Sequence, residues 1–257
     1  MKKSWILLGL FLGIFIQLSA QGFQTGTRKP EAKEAYQAGN QALKGQAFAE
    51  AEAAFAQAIS YDDRFIDAYI ALGMTKRILG QDASAENALS KAIDLYPRSL
   101  QAHEELALLY LSQNQDEKAI DQYKVLLSHH PGYSEAFLSI SQIYFDQSKF
   151  SEALQASEAA IRILIAQGNQ KRTADARLLA GRCYLKLGVP KTAIKYFKAN
   201  KKQMSEQGVY YYYLGLAYFK DGNKGKAREH LLEAQSRGYT IPEYLLQQLD
   251  SWAETDG

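Results

Sequence analysis

Cysteine is almost missing from this chain: Cys183 stands alone among 257 residues. No intrachain disulfide can form, and the lone thiol reads as a small buried side chain. Histidine is nearly as scarce, with four residues: His103, His129, His130 and His230. The adjacent pair points in different directions on a helix and has no cysteine or carboxylate at ligand spacing, so no metal site is expected. An excess of one charge is also lacking, with 30 Lys and Arg against 28 Asp and Glu. A nucleic-acid partner would need a strongly basic face, so none is expected. Catalytic signatures are absent as well. No Gly-x-Ser-x-Gly occurs, and His103-Glu104-Glu105-Leu106-Ala107 lacks the second histidine of a zinc-protease helix. Gly222-Asn-Lys-Gly-Lys226 lacks the spacing of a phosphate loop and reads as a turn. Glu104 and Asp146 offer no acid–base pairing. No catalytic residue and no cofactor are expected, and a hydrolytic or glycan-binding role ranks last.

Long apolar runs are limited to one. Met1-Lys2-Lys3 precedes an apolar stretch from Trp5 to Ile16 and then Gln17-Leu18-Ser19-Ala20. The stretch falls short of the roughly 20 residues that cross a bilayer. A basic start, a short apolar middle and a small final residue form the layout of a secretory signal peptide over residues 1–20, with cleavage expected after Ala20. No cysteine lies near that point to accept a lipid. Export to the bacterial periplasm or cell exterior is the expectation. Removing residues 1–20, which hold two lysines and no acid, leaves 28 charges of each sign. Residues 21–31 read as a mobile lead-in.

What the chain has instead is a repeat. Taking Gly73 as column 8 and Ala85 as column 20 gives 34-residue units starting at Ala32, Ile66, Leu100, Ser134, Ala174 and Gly208. Column 20 is Ala51, Ala85, Ala119, Ala153, Ala193 and Ala227; column 8 is Gly39, Gly73, Ala107, Ser141, Gly181 and Gly215. Two helices approach closely only where neither carries bulk, so these columns mark the crossing of a helix pair. Column 11 is Tyr110, Tyr144, Tyr184 and Tyr218 in four units, and column 24 is Phe55, Leu89, Tyr123, Phe197 and Leu231 in five. These larger side chains fill the space beside the crossing. Gly45, Gly80, Asn114, Ser148, Gly188 and Gly222 read as the turns inside each pair.

This pattern resembles the tetratricopeptide repeat over residues 32–241, in its period, its small columns 8 and 20, its aromatic column 11 and the column-32 prolines Pro97 and Pro131. The resemblance implies an all-α, right-handed superhelical solenoid of antiparallel helix pairs: 32–65, 66–99, 100–133, 134–173, 174–207 and 208–241. It also implies a concave groove lined by columns 2, 5, 9, 12 and 13 of each first helix, which holds a peptide segment or a partner's helix. In this sequence those columns place Tyr36 and Asn40 in the first unit, Ile70, Met74 and Arg77 in the second, and Glu104, Leu108 and Leu111 in the third. They place Leu138, Gln142 and Phe145 in the fourth unit, Leu178, Arg182 and Leu185 in the fifth, and Tyr212, Leu216 and Phe219 in the sixth. Some family members grip a C-terminal carboxylate with a clamp of Lys, Asn and Arg. Only Asn40 matches it here, with Tyr36 and Met74 at two of the other positions, so that mode of binding is not expected.

Three further stretches stand out. An insertion of six residues follows an apolar prolongation, Ala160-Ile-Arg-Ile-Leu-Ile-Ala166, which is expected to extend the local core. Lys191, Lys195, Lys198 and Lys202 are spaced along one face of a helix, expected to be a solvated outer surface, with anionic head groups or an acidic partner as the lesser alternative. Thr240-Ile-Pro-Glu243 has the form of a capping box opening a terminal lid helix over 242–257 that carries Leu245, Leu246, Leu249 and Trp252 on one side. The expected function is an exported, non-enzymatic scaffold that binds a protein segment. The alternative is a structural subunit that docks through its convex face or its ends.

Overall fold

A computed structural model describes residues 26–204, 206–245 and 247–248. Among these residues all regular structure is helical. The helices divide between two compact units that meet in sequence at Pro97–Arg98. The first unit holds α1 (Pro30–Lys44), α2 (Phe48–Tyr61), α3 (Ile66–Ile78) and α4 (Asp82–Leu95). The second holds α5 (Leu100–Ser112), α6 (Asp116–His129), α7 (Ser134–Asp146), α8 (Phe150–Ala166), α9 (Gln170–Lys186), α10 (Pro190–Lys198), α11 (Lys201–Met204), α12 (Gly208–Lys220) and α13 (Lys224–Ser236). Within each unit a helix packs chiefly on its neighbours in the chain, α1 on α2 and α2 on α3, then α5 on α6 and so on to α12 on α13. That is the contact pattern of a helical solenoid.

Each hairpin closes on the same device. A residue with positive φ follows the first helix: Gln46 (58°), Gly80 (72°), Asn114 (57°), Ser148 (60°), Gly188 (76°) and Gly222 (80°). The next amide then donates back across the helix end, from Ala47 to Ala42 O, Gln81 to Lys76 O, Gln115 to Tyr110 O, Lys149 to Tyr144 O, Val189 to Tyr184 O and Asn223 to Tyr218 O, at 2.8–2.9 Å. These are Schellman closures, which satisfy otherwise orphaned carbonyls and turn the chain in three residues. In the first hairpin the left-handed residue is Gln46 and not Gly45, whose φ is −80°. The backbone register, not the glycine, decides which residue adopts the strained conformation.

The two small columns meet as their chemistry requires. All six column-20 alanines are fully buried. A Cβ added at Gly39, Gly73, Gly181 or Gly215 would lie 2.5, 2.6, 2.3 or 2.8 Å from the side chain of Phe55, Leu89, Phe197 or Leu231. The glycine vacates the volume that the column-24 side chain fills, and burying such a side chain contributes roughly 1.5–3 kcal/mol. Where column 24 is small, as at Ser157, column 8 is Ser141, whose hydroxyl donates to the column-20 carbonyl of Ala153 at 2.6 Å.

The six-residue insertion lengthens two helices: α8 and α9 each run 17 residues, and α9 begins four residues before Ala174. Ile161 and Leu164 bury against Ala176 and Ala180, whereas Ile165 remains 55% exposed. The prolongation is therefore core on one side only. The lysine spacing does not form a single helical stripe, because α10 stops at Lys198 and Lys202 belongs to α11. Between α10 and α11 lies Asn200, fully buried at column 27, where the other units carry Ala58, Ala92, Leu126, Ala160 and Ala234. Its Nδ2 donates to Ala174 O at 2.8 Å, and its Oδ1 is buried without a partner.

At the start, Pro30 occupies the first turn of α1, and Lys29 Nζ donates to Tyr61 O at 2.7 Å while the Thr27 hydroxyl donates to Asp62. The chain is thus fastened to the end of α2 from Thr27 onward. At the other end Ile241 and Leu245 pack on Leu231 and Ala234. Leu246, Leu249 and Trp252 lie outside the described residues, as does the stretch read as a signal peptide.

Candidate functional site

The residues expected to line a groove sit on the first helices α1, α3, α5, α7, α9 and α12. Three of them are buried: Ile70 (2%), Met74 (4%) and Leu185 (4%). In the first unit Tyr36 is half-buried between Phe55 and Phe65, with ring centroids at 5.5 and 4.9 Å. Burial, then the Asp67 charge, push its hydroxyl up to about 12. Asn40 and Arg77 are half-buried on the same set of helices.

In the second unit Leu108, Leu111, Leu138, Phe145, Leu178, Leu216 and Phe219 are all half-buried, which leaves apolar surface on α5, α7, α9 and α12. Polar groups punctuate it. Glu104 accepts from the Tyr133 hydroxyl at 2.6 Å. Burial raises its carboxyl above the ordinary value, and the Glu105 and Glu135 charges push the same way against the hydrogen bond. Gln142 donates to Asp146 Oδ1 at 2.9 Å. Tyr212 is only half-buried but stacks on Tyr239 at 4.7 Å, so much of one ring face is already occupied.

Arg182 is the centre of this surface. Its guanidinium lies over Phe145 of α7 at 4.3 Å and over Tyr213 of α12 at 5.4 Å. One side chain of α9 therefore touches the first helices on both sides. Beside it, Lys186 Nζ lies over Phe150 at 5.9 Å, and Phe150 meets Phe145 edge-on at 5.4 Å. Phe150, Tyr213 and Tyr239 were not singled out from the sequence as lining residues. Tyr213 falls in column 6 and Phe150 opens a second helix, so column position alone misses them. The only signal was the run Tyr210-Tyr211-Tyr212-Tyr213, which points aromatic rings around most of α12.

A shallow cavity of about 290 Å³ lies elsewhere in this unit, among Lys198, Lys201, Tyr210, Tyr211, Glu229, His230 and Glu233. Its lysines and glutamates offset one another. His230 stacks on Tyr218 at 5.4 Å, and burial lowers its pKa. Lys191, Lys195 and Lys198 are exposed on α10. Cys183 is buried, and its thiol is pushed up to about 11 by burial. No cluster of three metal-ligating side chains occurs among the described residues, and no described helix is long and apolar enough to cross a membrane.

A family model described as tetratricopeptide repeat matches residues 70–134 and 138–203, together just over half of the chain. No curated protein matches the sequence. Solved structures do. A structure described as PilW, a widely conserved type IV pilus biogenesis factor, superposes with a TM-score of 0.64 at 18% identity, covering 86% of this chain and 99% of that one. YrrB, described as a TPR protein with an unusual peptide-binding site, gives 0.60 at 20% identity and covers 71% of this chain and 91% of its own. MamA gives 0.58 at 22% identity, covering 65% and 94%. At such identities the likeness shows the fold alone.

Proposed function

From the premise that the chain belongs to the tetratricopeptide repeat family, we propose that it is an exported, non-enzymatic scaffold that receives a peptide segment or a partner's helix on its first helices. The observation that carries this reading is the row of half-buried apolar side chains on α5, α7, α9 and α12, from Leu108 through Phe145 and Leu178 to Phe219. Rigid helices hold these side chains in place, so a segment can bury its own apolar groups against them with little ordering cost. Export rests on Lys2, Lys3 and the apolar run to Ile16. YrrB, with its described peptide-binding site, has a similar fold and supports binding of this kind.

A photo-crosslinking residue at Leu108 or Leu178, and another at Lys198, tests the reading in the parent cells. Adducts from the first pair support it. Adducts from Lys198 alone support a second reading, docking through the outer face, which the exposed Lys191, Lys195 and Lys198 favour. N-terminal sequencing of the protein from the cell envelope should begin after residue 20. An intact Met1 would refute export.

A further inference from the structure

Arg182 has more to give than its two aromatic contacts use. Its guanidinium makes no ion pair or hydrogen bond to a described residue, and its Nε is buried with no partner. The Nε is shielded from solvent, so an incoming group would meet the Nη atoms. The rings of Phe145 and Tyr213 lie 4.3 and 5.4 Å from the guanidinium carbon, which leaves its N–H donors for another group. Those donors form a planar fork matched to a carboxylate. On α7 the Asp146 carboxylate accepts from Gln142 at 2.9 Å. The Lys186 ammonium adds a second positive charge beside the same aromatic group.

We infer that Arg182, clamped between Phe145 and Tyr213, is the anchor for a carboxylate of a bound protein segment, an Asp or Glu side chain flanked by apolar residues. The inference rests on the scaffold reading above and gives it a chemical preference. Stacking holds the planar fork in one orientation before the partner arrives, so little side-chain entropy is lost on binding. The apolar flanks follow from Leu178 and Leu216, half-buried on α9 and α12. A polyanion such as nucleic acid is disfavoured, because the chain as a whole carries a formal charge of only +2. The site differs from the family's clamp positions, which Tyr36 and Met74 leave unmatched here.

The test is selection of random dodecapeptides displayed on phage, using the intact mature chain and its Arg182→Gln and Arg182→Lys variants. The wild type should select segments in which Asp or Glu recurs at one register between apolar residues. A selected peptide should lose about tenfold in affinity when that acid becomes Asn or Gln, and its binding should weaken with salt. On Arg182→Gln the same peptide change should have almost no effect, a coupling that general damage to the fold would not produce. Arg182→Lys keeps the charge but not the fork, and should fall between the two.

Peptides without acids, or an acid preference that persists in Arg182→Gln, would overturn the inference and leave the scaffold reading standing. No enrichment on the wild type would overturn both. Self-association abolished by Arg182→Gln would assign the face to a second copy of the chain and equally overturn a peptide ligand.

Discussion

Substituting alanine for Gly181 places a methyl group where the fold has reserved space for an aromatic ring. The new Cβ would lie 2.3, 2.7 and 2.9 Å from three ring atoms of Phe197. Ordinary carbon contacts begin near 3.5 Å, so the ring must retreat by more than about 1 Å. It has little room to do so. Phe197 is fully buried among Ala174, Leu185 and Ala193 and stacks on Tyr213 at 6.2 Å. Overpacking of this kind costs about 1–3 kcal/mol, against a gain of about 1 kcal/mol from replacing a helical glycine. The net expectation is a loss of up to about 2 kcal/mol, read as a lower urea midpoint by circular dichroism. Gly225→Ala is the control, because nothing lies within 4 Å of its added Cβ. It should be neutral or stabilising by up to about 1 kcal/mol. A second substitution, Phe197→Leu, should recover part of the loss in the Gly181→Ala background while destabilising the wild type. If Gly181→Ala stabilises the protein as much as Gly225→Ala does, the reasoning about the crossing point is wrong.

Asn200→Ala removes a buried unpartnered carbonyl along with the hydrogen bond to Ala174 O and a weak one to Met204 Sδ, and restores the alanine that most other units carry at that column. The expected outcome lies between no change and a gain of about 1 kcal/mol, with a small rise in helical dichroism at 222 nm. A clear loss of stability would show the Asn200–Ala174 bond to be the stronger effect. Cys183, buried with its thiol pushed up to about 11, should resist a thiol reagent at pH 8 in the native protein and react at once in urea. Rapid native labelling would contradict its placement. Glu104 titrates above its ordinary value of 4.5 because the folded state disfavours its charge. Its protonated form adds stability that is fully present below the unfolded value and is lost as pH rises through the folded one. Glu104→Gln, which retains an acceptor for Tyr133, should therefore be more stable than wild type at pH 7 and indistinguishable from it below about pH 4. A difference that persists at low pH would exclude the charge as its source.

The helix pairs were legible in the sequence because steric rules write them locally. A glycine at column 8 opposite a phenylalanine or leucine at column 24 needs no knowledge of the rest of the chain, and neither does the turn that follows each first helix. Register within the first turn was obscured by a glycine: Gly45 looks like the turn residue but stands in column 14, whereas Gln46, in column 15 with Gly80 and Asn114, takes the positive φ. The break after Lys198 was hidden for a similar reason. Lysine spacing reports which face of a helix is solvated, but not that the helix stops at Lys198 beside a buried Asn200. For the candidate site the columns name positions on the first helices and say nothing of the chemistry around them. Arg182 was one polar residue among several until the fold set Phe145 and Tyr213 on its two sides, residues 37 and 31 positions away in the chain.

The interruption at Asn200 has a mechanical consequence. A force applied along the chain spreads over many equivalent backbone bonds wherever a second helix is continuous, but between Lys198 and Lys201 the helix is interrupted and the Asn200 amide bridges to Ala174. Pulled from its carboxyl end, the protein should shed the final hairpin first and as one step, leaving the preceding rungs intact. The same joint in a tethered molecule would act as a fuse, setting the load at which whatever α12 and α13 hold is let go.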